Sequence, residues 1–120
     1  MNSSVINVAD LAERVDNDFE LFVELSELFF DDSVSLINKI GDSIKKGDSD
    51  ALRKSAHTLK GAVSNFSAQR AYDAAYELEL TGKNNEMEKA GEKFNSLKVE
   101  IDLVIEEMKS MVNKGSFQAY

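Results

Sequence analysis

From Phe19 to Lys46 the chain carries apolar side chains at helical spacing, and no proline occurs anywhere in its 120 residues. Proline is the residue that most reliably breaks a helix, so its absence leaves long helices uninterrupted. Phe22, Leu25, Phe29, Ser33, Leu36, Ile40 and Ile44 form the main stripe of this run. Phe19, Val23, Phe30, Val34 and Ile37 lie to one side of it, and Leu21 and Leu28 to the other. A helix apolar over so wide an arc has to touch more than one neighbour. The outer part of the Phe19/Val23/Phe30/Val34 stripe is open either to a partner or to cover by the preceding helix.

The rest of the chain supplies the neighbours. Asn7 can cap a short helix over about Val8 to Val15, with Leu11 and Val15 inward. Asp16-Asn17-Asp18 is a turn-and-cap cluster. Gly47 stops the long helix, with Lys45 and Lys46 suited to its negative end. Asp48 or Ser49 caps a third helix running to about Phe66. Ser67 is placed to cap a fourth, from Ala68 to about Leu80, whose inner stripe is Ala71, Ala75 and Leu78 beside Tyr72 and Tyr76. Thr81-Gly82-Lys83-Asn84-Asn85 reads as a break. A last helix is predicted from about Glu86 to Val112 on the near-heptad row Met87, Ala90, Phe94, Leu97, Ile101, Val104, Met108 and Met111. No strand signal and no repeat appear. The expected fold is all-α: an up-down-up-down four-helix bundle with a short additional N-terminal helix as a lid. One domain spans residues 1–120, with a core over about 5–112 and a flexible tail over 113–120.

Within this frame the stretch Ala51 to Ala71 stands out. It holds the chain's single histidine, His57, with Arg53, Lys54, Lys60 and Arg70 and no Asp or Glu, in a chain of net charge −8. At 100° per residue, Leu52, Ala56, Leu59, Val63 and Phe66 share one apolar face. Arg53, His57, Lys60, Gly61 and Ser64 share another. Cations one turn either side of an imidazole favour its neutral form, whose free lone pair a phosphoryl acceptor needs. The same cations would stabilise the attached phosphate. Gly61 costs its helix about 1 kcal/mol relative to Ala, and at i+4 it removes the side chain that would overhang the ring. Against this stands the plainer reading, in which a lone histidine is merely exposed and the cations form a solvated face. That reading leaves the missing acids unexplained.

His57-Thr58-Leu59-Lys60-Gly61 with Ser64 and Phe66, then Ala68 and later Leu78-Glu79, resembles the signature of histidine-containing phosphotransfer (HPt) domains. The resemblance covers roughly Val5 to Val112. Ser67 departs from it, standing where that family most often has Gly. The resemblance implies a phosphorelay intermediate, with the phosphoryl group carried on the outer ring nitrogen of His57. Lys60 would be the phosphate-neighbouring lysine and Gly61 the clearance glycine. Arg53 and Ser64 are added as phosphate- or partner-binding residues from their place on the face. The implied partners are response-regulator receiver domains and an upstream hybrid histidine kinase, with Mg²⁺ on the receiver and no cofactor of the chain's own.

Other chemistries fit poorly. A di-iron bundle needs paired Glu-x-x-His motifs, and zinc needs more His or Cys ligands than one histidine and no cysteine supply. No carboxylate lies within a helical turn of His57 to orient it as a triad base. No phosphate-cradling glycine loop or nucleotide motif occurs, so ATP-dependent kinase activity is not expected. The acidic balance disfavours nucleic acid, no run is long enough to span a membrane, and the N-terminus lacks a signal-peptide pattern. A cytoplasmic monomer is expected. The alternative function is a helical adaptor that binds partners without phosphate chemistry.

Overall fold

The computed structural model describes residues 4–117. Five α-helices run in order: α1 (Val8–Arg14), α2 (Phe19–Lys46), α3 (Ser49–Ser64), α4 (Gln69–Lys83) and α5 (Ala90–Lys114). A 3-10 turn, Met87–Lys89, leads into α5, so the last helix begins a turn later than its sequence pattern suggests. In the four-helix bundle α2 and α4 each pack against both α3 and α5. The described residues contain no strand and no helix long and apolar enough to cross a membrane.

The helix ends are set locally. Asn7, Asp18 and Asp48 each turn a side-chain oxygen onto the backbone N–H three residues on, at 3.1, 3.1 and 3.0 Å. These are the donors that a helix start leaves without partners. Gly47 takes the left-handed conformation (φ 66°) that closes α2, and the Asp48 N–H returns to the Ser43 carbonyl. Asp48 thus ends one helix and begins the next.

Apolar stripes meet in one core containing Phe22, Phe29, Ile40, Leu52, Leu59, Leu78, Leu97 and Met108. Ser26, Ser33 and Ser43 lie buried in the α2 stripe, and each hydroxyl bonds a backbone carbonyl of its own helix. Small, internally satisfied residues let neighbouring helices approach without an unpaired polar group. At one end of the bundle Phe66 sits among Phe22 and Phe29, with ring centroids 6.5 and 5.1 Å away. Leu11 and Val15 are buried in the same core cluster. The side stripe of α2 turns toward α5, where the Lys109 ammonium lies 5.4 Å from the Phe30 ring centre, while Val34 stays 60% exposed.

Two local expectations are revised. Ser67 does not cap α4: the N-cap is Ala68, without a side-chain bond. Ser67 instead has φ 57°, and its hydroxyl donates to the Asp10 carboxylate while its carbonyl accepts from the Asn7 N–H. A left-handed turn is the position glycine fills most easily, so the serine exchanges backbone ease for a tie to α1. The chain beyond Lys114 is not wholly a free tail. Gly115 closes α5 and Phe117 packs 5.2 and 5.4 Å from the rings of Phe19 and Phe22. The remainder of the expected tail, residues 118–120, lies outside the described residues.

Candidate functional site

The α3 stripe Leu52, Ala56, Leu59 and Val63 is fully buried, and His57 comes out on another face with 63% of its side chain exposed. What stands beside the ring is set by how closely α4 lies on α3. Ala71, Ala75, Leu78 and Gly82 are buried on α4 at i, i+4, i+7 and i+11. A Cβ at Gly82 would fall 2.8 Å from both the Arg53 nitrogen and the Ser49 carbonyl oxygen. Only glycine permits that approach. Gly82 is therefore a packing residue inside α4 rather than the break its sequence suggests.

One turn back from Gly82, Glu79 reaches across to α3. One carboxylate oxygen lies 3.0 Å from His57 Nδ1, and the other lies 2.8 Å from Lys60 Nζ. The Glu79 and Lys60 side chains are only 17% and 16% exposed. Burial by itself would raise the Glu79 carboxyl, but the bonds from Lys60 and His57 prevail and hold it below its ordinary value. Its bond to Glu79 raises the Lys60 ammonium against the opposing effect of burial. Lys60 also lies over the rings of Tyr76 and Tyr72, 5.0 and 5.8 Å from their centroids. An ionised carboxylate only accepts hydrogen bonds, so Nδ1 carries a proton toward Glu79, and in the neutral ring the lone pair is the one on Nε2.

The five residues singled out in the sequence divide. His57 and Lys60 meet on the two oxygens of Glu79. Gly61 is exposed, and a Cβ there would have open space for 4 Å around it. Ser64 donates its hydroxyl to the Gly61 carbonyl of its own helix at 2.7 Å. Arg53 pairs with Asp50 at 2.9 Å. The apparent basic island is closed from outside the stretch: Asp50 also takes Lys54 at 3.1 Å, Glu79 takes Lys60, and Glu100 takes Arg70 at 3.1 Å. The charge that touches the imidazole is an anion, not a cation. Glu79 was quoted in the signature, but the sequence assigned it no role. Its signal was the α4 row Tyr72, Tyr76 and Glu79, spaced i, i+4, i+7. Among the described residues no group of three or more His, Cys, Asp or Glu could hold a metal ion.

A single exposed histidine on a bundle helix, steadied by a carboxylate, narrows the field, and comparison with known proteins decides it. The family model for the Hpt domain matches residues 24–111. The chain belongs to the Hpt domain family. Among solved structures, this Hpt domain is similar to histidine-containing phosphotransfer protein B (HptB) from Pseudomonas aeruginosa PAO1. The TM-score is 0.82 at 25% identity, over 94% of this chain and 98% of that one. No curated protein matches it at a significant level. The Hpt domain has a histidine phosphotransfer relay role, and the adaptor alternative is set aside.

Proposed function

We propose that this Hpt domain accepts a phosphoryl group on Nε2 of His57 from the phosphoaspartate of a receiver domain and passes it to the aspartate of another receiver. The observation that carries this reading is the exposed His57 ring with Nδ1 held on Glu79. In the forward step the Nε2 lone pair attacks phosphorus, the N–P bond forms, and the aspartyl P–O bond breaks to return a carboxylate. The ring then carries positive charge, which Glu79 stabilises through the Nδ1 proton. In the reverse step the N–P bond breaks and the leaving group is neutral imidazole, with the same proton still on Nδ1. One carboxylate therefore holds the same ring tautomer through both steps, without gaining or losing a proton.

The open space at Gly61 gives the receiver's active-site loop room to approach the ring. The receiver would bring the Mg²⁺ and the groups that hold the phosphoryl oxygens, so the Hpt domain acts as a carrier without kinase activity of its own. Its setting would be the cytoplasm, as a monomer between response-regulator receivers and an upstream hybrid histidine kinase.

The test uses a ³²P-phosphorylated receiver. Wild type should acquire acid-labile, base-stable label, and His57→Gln should acquire none while keeping its helical circular dichroism. Normal labelling of folded His57→Gln would overturn the assignment.

A further inference from the structure

We infer that Lys60 acts on phosphoryl transfer through Glu79 rather than by touching the phosphoryl group, and that Tyr76 holds it in that role. The inference rests on the proposed transfer at His57 and concerns how the ring is set.

A lysine that seizes an incoming phosphate should have a free ammonium and room to move. Lys60 has neither. Its ammonium lies 2.8 Å from Glu79, its side chain is 16% exposed, and the Tyr76 and Tyr72 rings stand over it at 5.0 and 5.8 Å. Tyr72, Tyr76 and Glu79 project from one face of α4, so a single helix supplies all three groups that grip the cation. Cation–π attraction is strongest where water is kept away. Withdrawing Lys60 toward a phosphate would break this arrangement and leave the mostly buried Glu79 without its closest cation. Uncompensated buried charge is costly.

The arrangement makes sense as a support for Glu79. A carboxylate with both oxygens free could turn away from the imidazole or take up a proton. Lys60 fixes one oxygen, and the other is thereby aimed at Nδ1. A carboxylate that stays ionised and keeps a fixed aim is what a partner acting through a ligating or reacting histidine has to supply. Lys60 is on this reading a positioning residue at one remove, and Tyr76, 43% exposed, is the outer wall of its seat. The phosphoryl group on Nε2 is then left without a direct cation from α3, since Arg53 and Lys54 are already paired with Asp50. A carrier that does not clamp its cargo gives it up readily to the next receiver.

A double-mutant cycle separates this from direct phosphate contact. Lys60→Met removes the charge and keeps most of the stem. It should slow transfer from a phosphorylated receiver about tenfold, within the range for residues in one bonded network. In a Glu79→Gln background the same change should slow it less than about twofold, because the group it acts through is gone. ¹⁵N NMR of the His57 ring should show a smaller share of the Nδ1–H tautomer in Lys60→Met than in wild type. Tyr76→Phe should transfer within about twofold of wild type. Tyr76→Ala, at a half-exposed position, should shift the tautomer the same way as Lys60→Met and add nothing to it in the double variant. If Lys60→Met slows transfer equally in both backgrounds and leaves the tautomer unchanged, Lys60 touches the phosphoryl group and the inference is wrong. Additive effects of Tyr76→Ala and Lys60→Met would remove Tyr76 from the role. Either failure leaves His57 as the acceptor, whereas label on His57→Gln would strike the parent reading instead.

Discussion

Replacing either of two glycines by alanine should move stability in opposite directions. Gly61 and Gly82 are both helical, so each substitution gains about 1 kcal/mol of helix propensity. At Gly61 nothing opposes the gain, because the new methyl would meet no atom within 4 Å. For a domain of this size, 1 kcal/mol raises the melting temperature by about 4 °C. At Gly82 the methyl would lie 2.8 Å from Arg53 N and Ser49 O and 3.1 Å from Arg53 Cα. These are backbone atoms of α3, which cannot rotate away as a side chain would. Overpacking of this kind costs about 1–3 kcal/mol, and a backbone clash belongs at the upper end. After the propensity gain, a net loss of about 2 kcal/mol remains, which lowers the melting temperature by about 8 °C. The assay is thermal unfolding by circular dichroism, paired with the rate of label transfer from a phosphorylated receiver. Gly82→Ala should also slow transfer, because prising α4 off α3 separates Glu79 from His57. Gly61→Ala should be more stable yet transfer more slowly, and Gly61→Gln more slowly still. Shifts of the same sign at the two positions would refute the packing argument. Normal transfer by Gly61→Gln would show that the receiver does not pass over this turn.

Three further outcomes are expected. Asp48→Ala removes the bond to the Ala51 N–H and should cost about 1 kcal/mol of unfolding free energy, read from urea titrations. Phe117→Ala loses the contacts with Phe19 and Phe22 and, from a half-buried site, should cost about 2 kcal/mol; no change would mean that the segment after α5 does not hold the bundle. The Glu79 carboxyl is held below its ordinary value of 4.5, so its stabilisation is present above that value and is lost as the pH falls through the lower folded one. Its facing groups are His57 and Lys60 from α3, with Tyr72 and Tyr76 on its own helix. Asp10, lowered by its bond to Arg14, and Asp50, lowered by its bond to Arg53, titrate in the same sense. Acid unfolding of Glu79→Gln should therefore begin from a lower plateau and fall less steeply than wild type, while a parallel curve would deny Glu79 that contribution.

Much of this was legible in the chain because the information is local. Apolar period, capping aspartates and Gly47 fix the helices within a few residues of where they lie. The His57–Gly61 face follows from helical geometry alone. What escaped depends on pairs of helices. Glu79 is 22 residues from His57, and no single-helix argument brings it to the ring. The cations of the Ala51–Ala71 stretch looked unopposed because their acids stand just before it, on α4 or on α5. Gly82 read as a breaker because its close approach to α3 cannot be seen in α4 by itself. Ser67 read as a cap because its partner, Asp10, is 57 residues earlier.

The close seating of α4 on α3 also bears on how the protein comes to be folded. His57, Lys60 and Glu79 all belong to two helices joined by one tight turn. Contacts between residues near in sequence require little loop closure and form early. The proposed acceptor site can therefore take shape as a helical hairpin before α5 docks, and during synthesis that hairpin is complete before the last helix has been made. The slower step should be the arrival of α5 against α2, which closes the bundle but brings no residue to the histidine.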